Sequence, residues 1–201
     1  MSKRMVACLM LLCAVMIIGG CGPKKVASTG FLSDYSRLEP HSSTSLRYVD
    51  RGALGTYSSF IVDPVAARIY GEAKGKISAE DLQDIISYMH AAIVRELSDR
   101  YTIAYRPGPG VARIRVAITD LKKSNPVLNT IPQTKLAGVG LGGASMEAEL
   151  SDSQTGRQIA AAVESQLGER LSMAGITTWG DAKQVMDNWA KRLKKRLDEA
   201  N

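Results

Sequence analysis

The sequence predicts an α+β fold: an antiparallel or mixed sheet with a long central helix and a C-terminal helix packed on one face. Three patterns lead there. Apolar residues recur at helical spacing from Leu82 to Leu97 and again from Ala182 to Leu197. Between them, Ile114, Val116 and Ile118 alternate with Arg113, Arg115 and Ala117, as residues on a half-buried strand do. Helices separated by runs of strands, rather than strict strand-helix alternation, place the helices together against a mainly antiparallel sheet.

The chain opens on processing information. Lys3 and Arg4 precede an uninterrupted apolar run from Met5 to Ile18, and Gly19 and Gly20 lead into Cys21, which is the arrangement of a secretory signal. The run is short for the ~20 residues of a spanning helix. Ile18-Gly19-Gly20-Cys21 resembles the lipobox of bacterial lipoproteins, which implies removal of residues 1–20 and lipid attachment at Cys21. The expected modification is a covalent diacylglycerol on the thiol and an N-acyl chain such as palmitate on the new amine, and no other cofactor is expected. One chain holds a protein only marginally and two or three hold it stably, at about 0.8 kcal/mol per buried methylene. Gly22 stands where aspartate, in the lipoproteins this resembles, favours the inner membrane, so the expected location is the inner leaflet of the outer membrane, facing the periplasm. Cys8 and Cys13 leave with the signal, so Cys21 is the sole cysteine of the remaining 181 residues and no disulfide can form within them.

Loss of Lys3 and Arg4 lowers the formal charge of +6 by two. The mild basic balance that remains suits contact with anionic headgroups better than nucleic acid, which an envelope protein does not meet.

Residues 21–55 read as a lipidated tether and irregular lead-in, rich in Gly, Ser, Pro and charge. Within it, Gly30 to Leu38 is too apolar and aromatic for free linker and is expected to pack on the domain, which is assigned to residues 56–201. Tyr57 to Val62 reads as a strand ended by Pro64. Ser78-Ala79-Glu80-Asp81 has the form of a capping box at the head of the long helix, whose face carries Leu82, Ile85, Ile86, Met89, Ile93 and Leu97. Tyr101 to Tyr105 suggests a strand broken by Pro107-Gly108-Pro109-Gly110, and Arg113 and Arg115 in the next strand are expected to face solvent. Met146, Ala148 and Leu150 alternate with Glu147 and Glu149, then Asp152 to Gly156 turns the chain into Ile159, Ala161 and Val163, a hairpin. Thr178-Trp179-Gly180-Asp181 gives a second capping signal for the final helix.

Candidate sites are sparse. Gly138-Val139-Gly140-Leu141-Gly142-Gly143 satisfies G-x-G-x-x-G, but it leads into a strand instead of a helix and so reads as a loop or bulged strand start rather than a nucleotide fingerprint. His41 and His90 have no histidine partner at ligand spacing and no metal site is expected. No G-x-S-x-G elbow surrounds any serine. Glu147 and Glu149 share one strand face and, with Asp152, could form an acid/base group acting on envelope glycans or peptidoglycan; the more ordinary reading is a solvated charged face. Lys191, Arg192, Lys194 and Lys195 form a basic stripe that could touch lipid headgroups or simply be the wet side of an amphipathic helix. Lys122 to Ala137 is a long loop with Pro126 and Pro132, and its Val127, Leu128, Ile131 and Leu136 are the preferred partner surface.

Taken together, Gly30 to Leu38, Leu46-Arg47-Tyr48-Val49, Asp63-Pro64, Arg115 to Leu121, Gly143 to Leu150, Asp152 to Gly156, Thr178 to Asp181 and Trp189 to Leu193 resemble a family of bacterial envelope lipoproteins catalogued as domain of unknown function 3313. Tyr70 to Lys76 departs from it in lacking additional prolines. The resemblance implies a Gram-negative lipoprotein and carries no catalytic residues. The expected function is therefore a non-enzymatic binding, accessory or assembly module of the envelope, joined to the membrane by its lipid and engaging an envelope protein or another copy of itself. The competing expectation is the glycan-acting enzyme, and a third is passive carriage of a ligand, which would require a sizeable apolar pocket.

Overall fold

A computed structural model describes residues 28–70 and 73–201; the signal, Cys21 and the adjoining tether lie outside the described residues. The fold is α+β, built on one mixed sheet of eight strands. In chain order these are β1 (Glu39–Ser42), β2 (Ser45–Val49), β3 (Ser59–Val62), β4 (Ala66–Ala67), β5 (Thr102–Ile103), β6 (Val111–Lys122), β7 (Gly143–Asp152) and β8 (Gln158–Leu167). They lie in the order β1-β2-β8-β7-β6-β3-β5, with β4 also on β6. The run from β1 to β6 is antiparallel, whereas β3 and β4 join β6 in parallel and β5 joins β3 in parallel. The helices are α1 (Arg51–Leu54), α2 (Ala79–Leu97), α3 (Pro126–Thr130), α4 (Pro132–Leu136) and α5 (Gly180–Ala200), with a 3-10 turn at Ala174–Ile176.

The capping box before α2 forms as read: Ser78 Oγ accepts from the Asp81 N–H at 3.1 Å. The helix buries Ile85, Met89, Ala92, Ile93 and Leu97, and α5 buries Ala182, Val185, Met186, Trp189, Ala190 and Leu197. Both stripes meet the face of the sheet carrying Ile114, Val116, Ile118, Met146 and Leu150, in one continuous core. Each fully buried branched or long apolar side chain there contributes about 1.5–3 kcal/mol. Asp187 of α5 ties the two helices together, accepting from Tyr88 Oη at 2.7 Å and Arg95 at 2.8 Å. Burial, then this bond to Asp187, pushes the Tyr88 phenol up to about 12.

The opposite face of the sheet is covered by the chain's own N-terminal segment. Leu32 packs with Ala161 and Val163, and Phe31, Tyr35, Leu38 and Leu46 close around them. Packing of Gly30 to Leu38 on the domain agrees with its apolar character.

Several local expectations are corrected. Residues 39–54 are not irregular lead-in, because β1 and β2 extend the sheet and Asp50 Oδ1 caps α1 by accepting from Ala53 N at 3.0 Å; the alternation in Leu46-Arg47-Tyr48-Val49 was masked by its polar surroundings. Only Thr102–Ile103 of the Tyr101 to Tyr105 strand pair. Tyr101 instead packs edge-on against Phe60, ring centroids 5.2 Å apart. Arg113 and Arg115 are not simply solvated: Arg113 bonds Asp63 at 2.6 Å, and Arg115 bonds Glu149 at 2.8 Å while its guanidinium lies 4.7 Å from the centre of the Phe31 ring. Lys122 to Ala137 contains α3 and α4, each begun by proline, whose fixed φ suits a first helical position. The capping signal at Thr178 does not operate; α5 starts after Trp179 without a side-chain cap, and Asp181 turns inward.

Candidate functional site

The three carboxylates singled out in the sequence occupy structural positions. Glu147 and Glu149 do share one face of β7, but that face is the covered one, so the expected solvated face is corrected: their exposures are 0% and 3%. Glu147 accepts from Thr29 N at 2.6 Å and Tyr35 Oη at 2.5 Å. Glu149 accepts from Ser33 N at 3.1 Å, Ser33 Oγ, Gln158 Nε2 at 2.7 Å and Arg115. Burying a carboxylate requires such donors: those of Glu147 come from the segment 29–35 that lies over it, while Glu149 draws on Ser33 of that segment and on Arg115 and Gln158 of the neighbouring strands. Burial, followed by the bond to Glu147, raises the Tyr35 phenol above its ordinary range. Asp152 sits at the hairpin turn, where Oδ1 accepts from Gln154 N, Thr155 N and Thr155 Oγ1 and Oδ2 accepts from Tyr57. The Thr155 bonds hold its carboxyl down to about 2. Such a group gives up its proton far below neutral pH and is ill suited to donating one.

The segment 124–142 is ordered around a buried aspartate that sequence reasoning missed. Asp181, wholly buried, accepts from Gly142 N at 2.8 Å and Ser124 Oγ at 2.9 Å. Asn129, 3% exposed, donates to the carbonyls of Gly140 and Gly175, both at 3.0 Å. These bonds draw α3, the glycine run and the 3-10 turn together. Gly140 has φ of +83°, and a Cβ on it would stand 2.8 Å from that of Leu128, so the run is a tight turn into β7. A Cβ on Gly175 would meet Asn129 Nδ2 at 2.5 Å. The buried Lys135 closes the group by donating to Ser172 O.

Pinned by these polar groups, the same end of the molecule turns apolar side chains outward. Of the large apolar residues exposed among the described residues, all but Tyr105 fall between Val127 and Ile176. Val127 (70% exposed), Ile131 and Leu136 belong to the surface read from sequence, while Leu128 is half-buried. Val139, Leu167, Leu171 (86% exposed), Met173 and Ile176 extend it. The clue to the extension is present in Leu171-Ser172-Met173-Ala174-Gly175-Ile176, an apolar stretch with neither helical nor strand period. Clustered exposed apolar residues mark interaction surfaces.

The basic stripe on α5 is divided. Lys194 turns toward Asp198 and Asp99, Lys195 lies 3.8 Å from Glu199, and Lys191 is exposed. Arg192 bonds Glu164 at 2.6 Å and Gln166 at 3.2 Å, both on β8. His41 lies on the exposed β1, and His90 Nε2 stands 3.3 Å from Val62 O. No group of three or more metal-ligating side chains occurs among the described residues.

A family model described as "Protein of unknown function (DUF3313)" matches residues 27–193. No curated protein matches the chain in sequence. Among solved structures, a PelC dodecamer from Paraburkholderia phytofirmans is similar at 15% identity over 77% of this chain and 95% of that one, with a TM-score of 0.45. Protein XCC0632 from Xanthomonas campestris is similar at 11% identity over 72% and 90%, TM-score 0.39. Lipoprotein GNA1162 from Neisseria meningitidis is similar at 15% identity over 56% and 81%, TM-score 0.33.

Proposed function

The chain belongs to the DUF3313 family of proteins of unknown function, and on that premise we propose that it is a lipoprotein of the bacterial outer membrane, held at the inner leaflet through Cys21, whose periplasm-facing domain is a binding, accessory or assembly module. The observation that carries this reading is the apolar end formed by Val127, Leu136, Leu171 and Met173, exposed on turns that Asp181, Asn129 and Lys135 fix in place. Apolar side chains held rigidly outward suit docking, because little conformational freedom remains to be lost on association. The N-terminal charge, apolar run and lipobox support the anchor, and no described helix is long and apolar enough to cross a membrane. Engagement of Glu147, Glu149 and Asp152 in turn and cover bonds favours the module over the glycan-acting enzyme.

Photo-crosslinking in cells from positions 127, 136 and 171, with mass-spectrometric identification, is expected to capture an envelope protein or a second copy of this chain. A monomer at high concentration that yields no adduct from any of the three would overturn the docking reading. Labelled acyl chains are expected on the wild type and absent from Cys21→Ser; their persistence on the variant would remove the anchor. Alanine at Glu147, Glu149 and Asp152 is expected to leave any glycan-cleaving activity of the envelope unchanged when folding is intact.

A further inference from the structure

A second site lies on the helix side of the sheet, distant in chemistry from the apolar end. Between β8 and α5 the packing leaves an apolar crevice of about 120 Å³. It exists because the strands present small residues there: Ala160 and Ala162 of β8 and Ala148 of β7 face Ala190 of α5, with Met89 and Trp189 at its depth. For scale, an engineered cavity of roughly 150 Å³ holds a benzene molecule. The crevice does not end in solvent alone. It opens into a wider polar groove of about 820 Å³ beside β1 and α1, and Arg47, Val49, Arg192 and Arg196 line both spaces.

The charge of that groove is one-sided. Its lining carries Arg47, Arg51, Arg192, Lys195 and Arg196 against Glu39 and Glu199. Glu164, at the crevice mouth, bonds Arg192 at 2.6 Å and stands 4.0 Å from Arg47, so a single carboxylate is shared by two guanidinium groups. Arg196 has no carboxylate within ion-pair distance among the described residues. Burial, then the neighbouring Arg196, depresses the Arg47 pKa, with Glu164 opposing the shift and Arg192 adding a little to it. Trp189, 3% exposed, lines the crevice with its buried Nε1 lacking an acceptor among the described residues.

An apolar slot continuous with an arginine-bordered groove matches a ligand with those two parts in sequence. We propose that the site binds a single-chain anionic amphiphile, the last few carbons of its alkyl chain filling the alanine-lined crevice and the remainder, with its carboxylate or phosphate head, lying in the groove bordered by Arg47, Arg192 and Arg196. Guanidinium groups pair with either head through two parallel N–H···O bonds. The site is independent of the apolar end, so it stands or falls apart from the docking surface.

The protein carries two tryptophans, so Trp179→Phe leaves Trp189 as the only indole reporter in the crevice wall. Titration of that variant with dodecanoate, below the concentration at which it forms micelles, is expected to change Trp189 emission saturably. Dodecanol and dodecyltrimethylammonium are expected to bind at least about tenfold more weakly, a difference of ~1.4 kcal/mol, and inorganic phosphate alone to give no spectral change. Arg192→Gln with Arg196→Gln is expected to weaken dodecanoate by about tenfold or more, as loss of charge-assisted bonds does. Ala162→Leu, which fills the slot, is expected to abolish the response without lowering the melting temperature. Absence of a saturable response in the parent protein, equal affinity for the three dodecyl compounds, or unchanged binding in the folded Ala162→Leu variant would each overturn the proposal.

Discussion

Glu147 acts as a clasp. With zero exposure it holds one backbone and one phenolic donor from the segment 29–35, so Glu147→Ala leaves the Thr29 N–H and the Tyr35 hydroxyl without their acceptor. An expected loss of about 1–3 kcal/mol follows from stranding such donors, read as a lower denaturant midpoint. Asp181→Ala is expected to cost a similar amount, roughly 1–3 kcal/mol, by stranding Gly142 N and Ser124 Oγ, and amide exchange should quicken at Gly142 more than in α2. Asp152 makes a pH prediction. Its carboxyl is held from 3.8 to about 2 in the folded chain, so its stabilising contribution is complete above the unfolded pKa and disappears as pH falls through the folded one. Acid unfolding of Asp152→Asn is therefore expected to depend less steeply on pH between about 4 and 2 than that of the wild type, as followed by circular dichroism.

Among the elements, the covering segment 29–38 behaves as a third layer over the sheet. Phe31→Ala removes the ring beneath the Arg115 guanidinium and part of the apolar lid over Leu32, Ala161 and Val163. It is expected to open the segment to limited proteolysis between residues 31 and 38 at protease levels that leave the β7–β8 hairpin intact. Legibility of the elements followed the range of the forces that fix them. The α2 cap and stripe were readable because Ser78, Asp81 and the apolar residues lie within a few turns of one another. The burial of Glu147 and Glu149 is not readable, since the donors that cover them, Thr29, Ser33 and Tyr35, lie well over a hundred residues away and nothing in an alternating strand marks which face will be covered. The signal at Thr178 does not act as a cap for the same reason: Asp181 Oδ2 accepts from Gly142 and Ser124 in place of its own helix start. Val127, Ile131 and Leu136 are legible because proline and apolar residues in a long connection are a local signal, and Leu171 to Ile176 carries a similar one, whereas Leu167, the last residue of a strand, joins them only through folding.

For the whole molecule, the polar pins and the apolar end can be separated by mutation. Val127→Asp with Leu136→Asp places two charges on exposed positions and touches none of the bonds made by Asp181 or Asn129. Surface changes of this kind typically alter stability by about 0.5 kcal/mol or less. The melting temperature is thus expected to hold while association, measured by light scattering across a concentration series, is lost. An equal loss of melting temperature would place these residues in the fold instead of at a docking surface.

The two margins of the sheet restrict what any association can look like. On one side β1 is four residues long, fully exposed, and carries Pro40 and Glu39; on the other, β5 has two residues. Proline withholds a ladder donor and so short an outer strand offers almost no template, both common ways of blocking strand addition. Pairing of copies of the chain edge to edge is therefore disfavoured at both margins, which leaves side-chain surfaces to carry any contact between them.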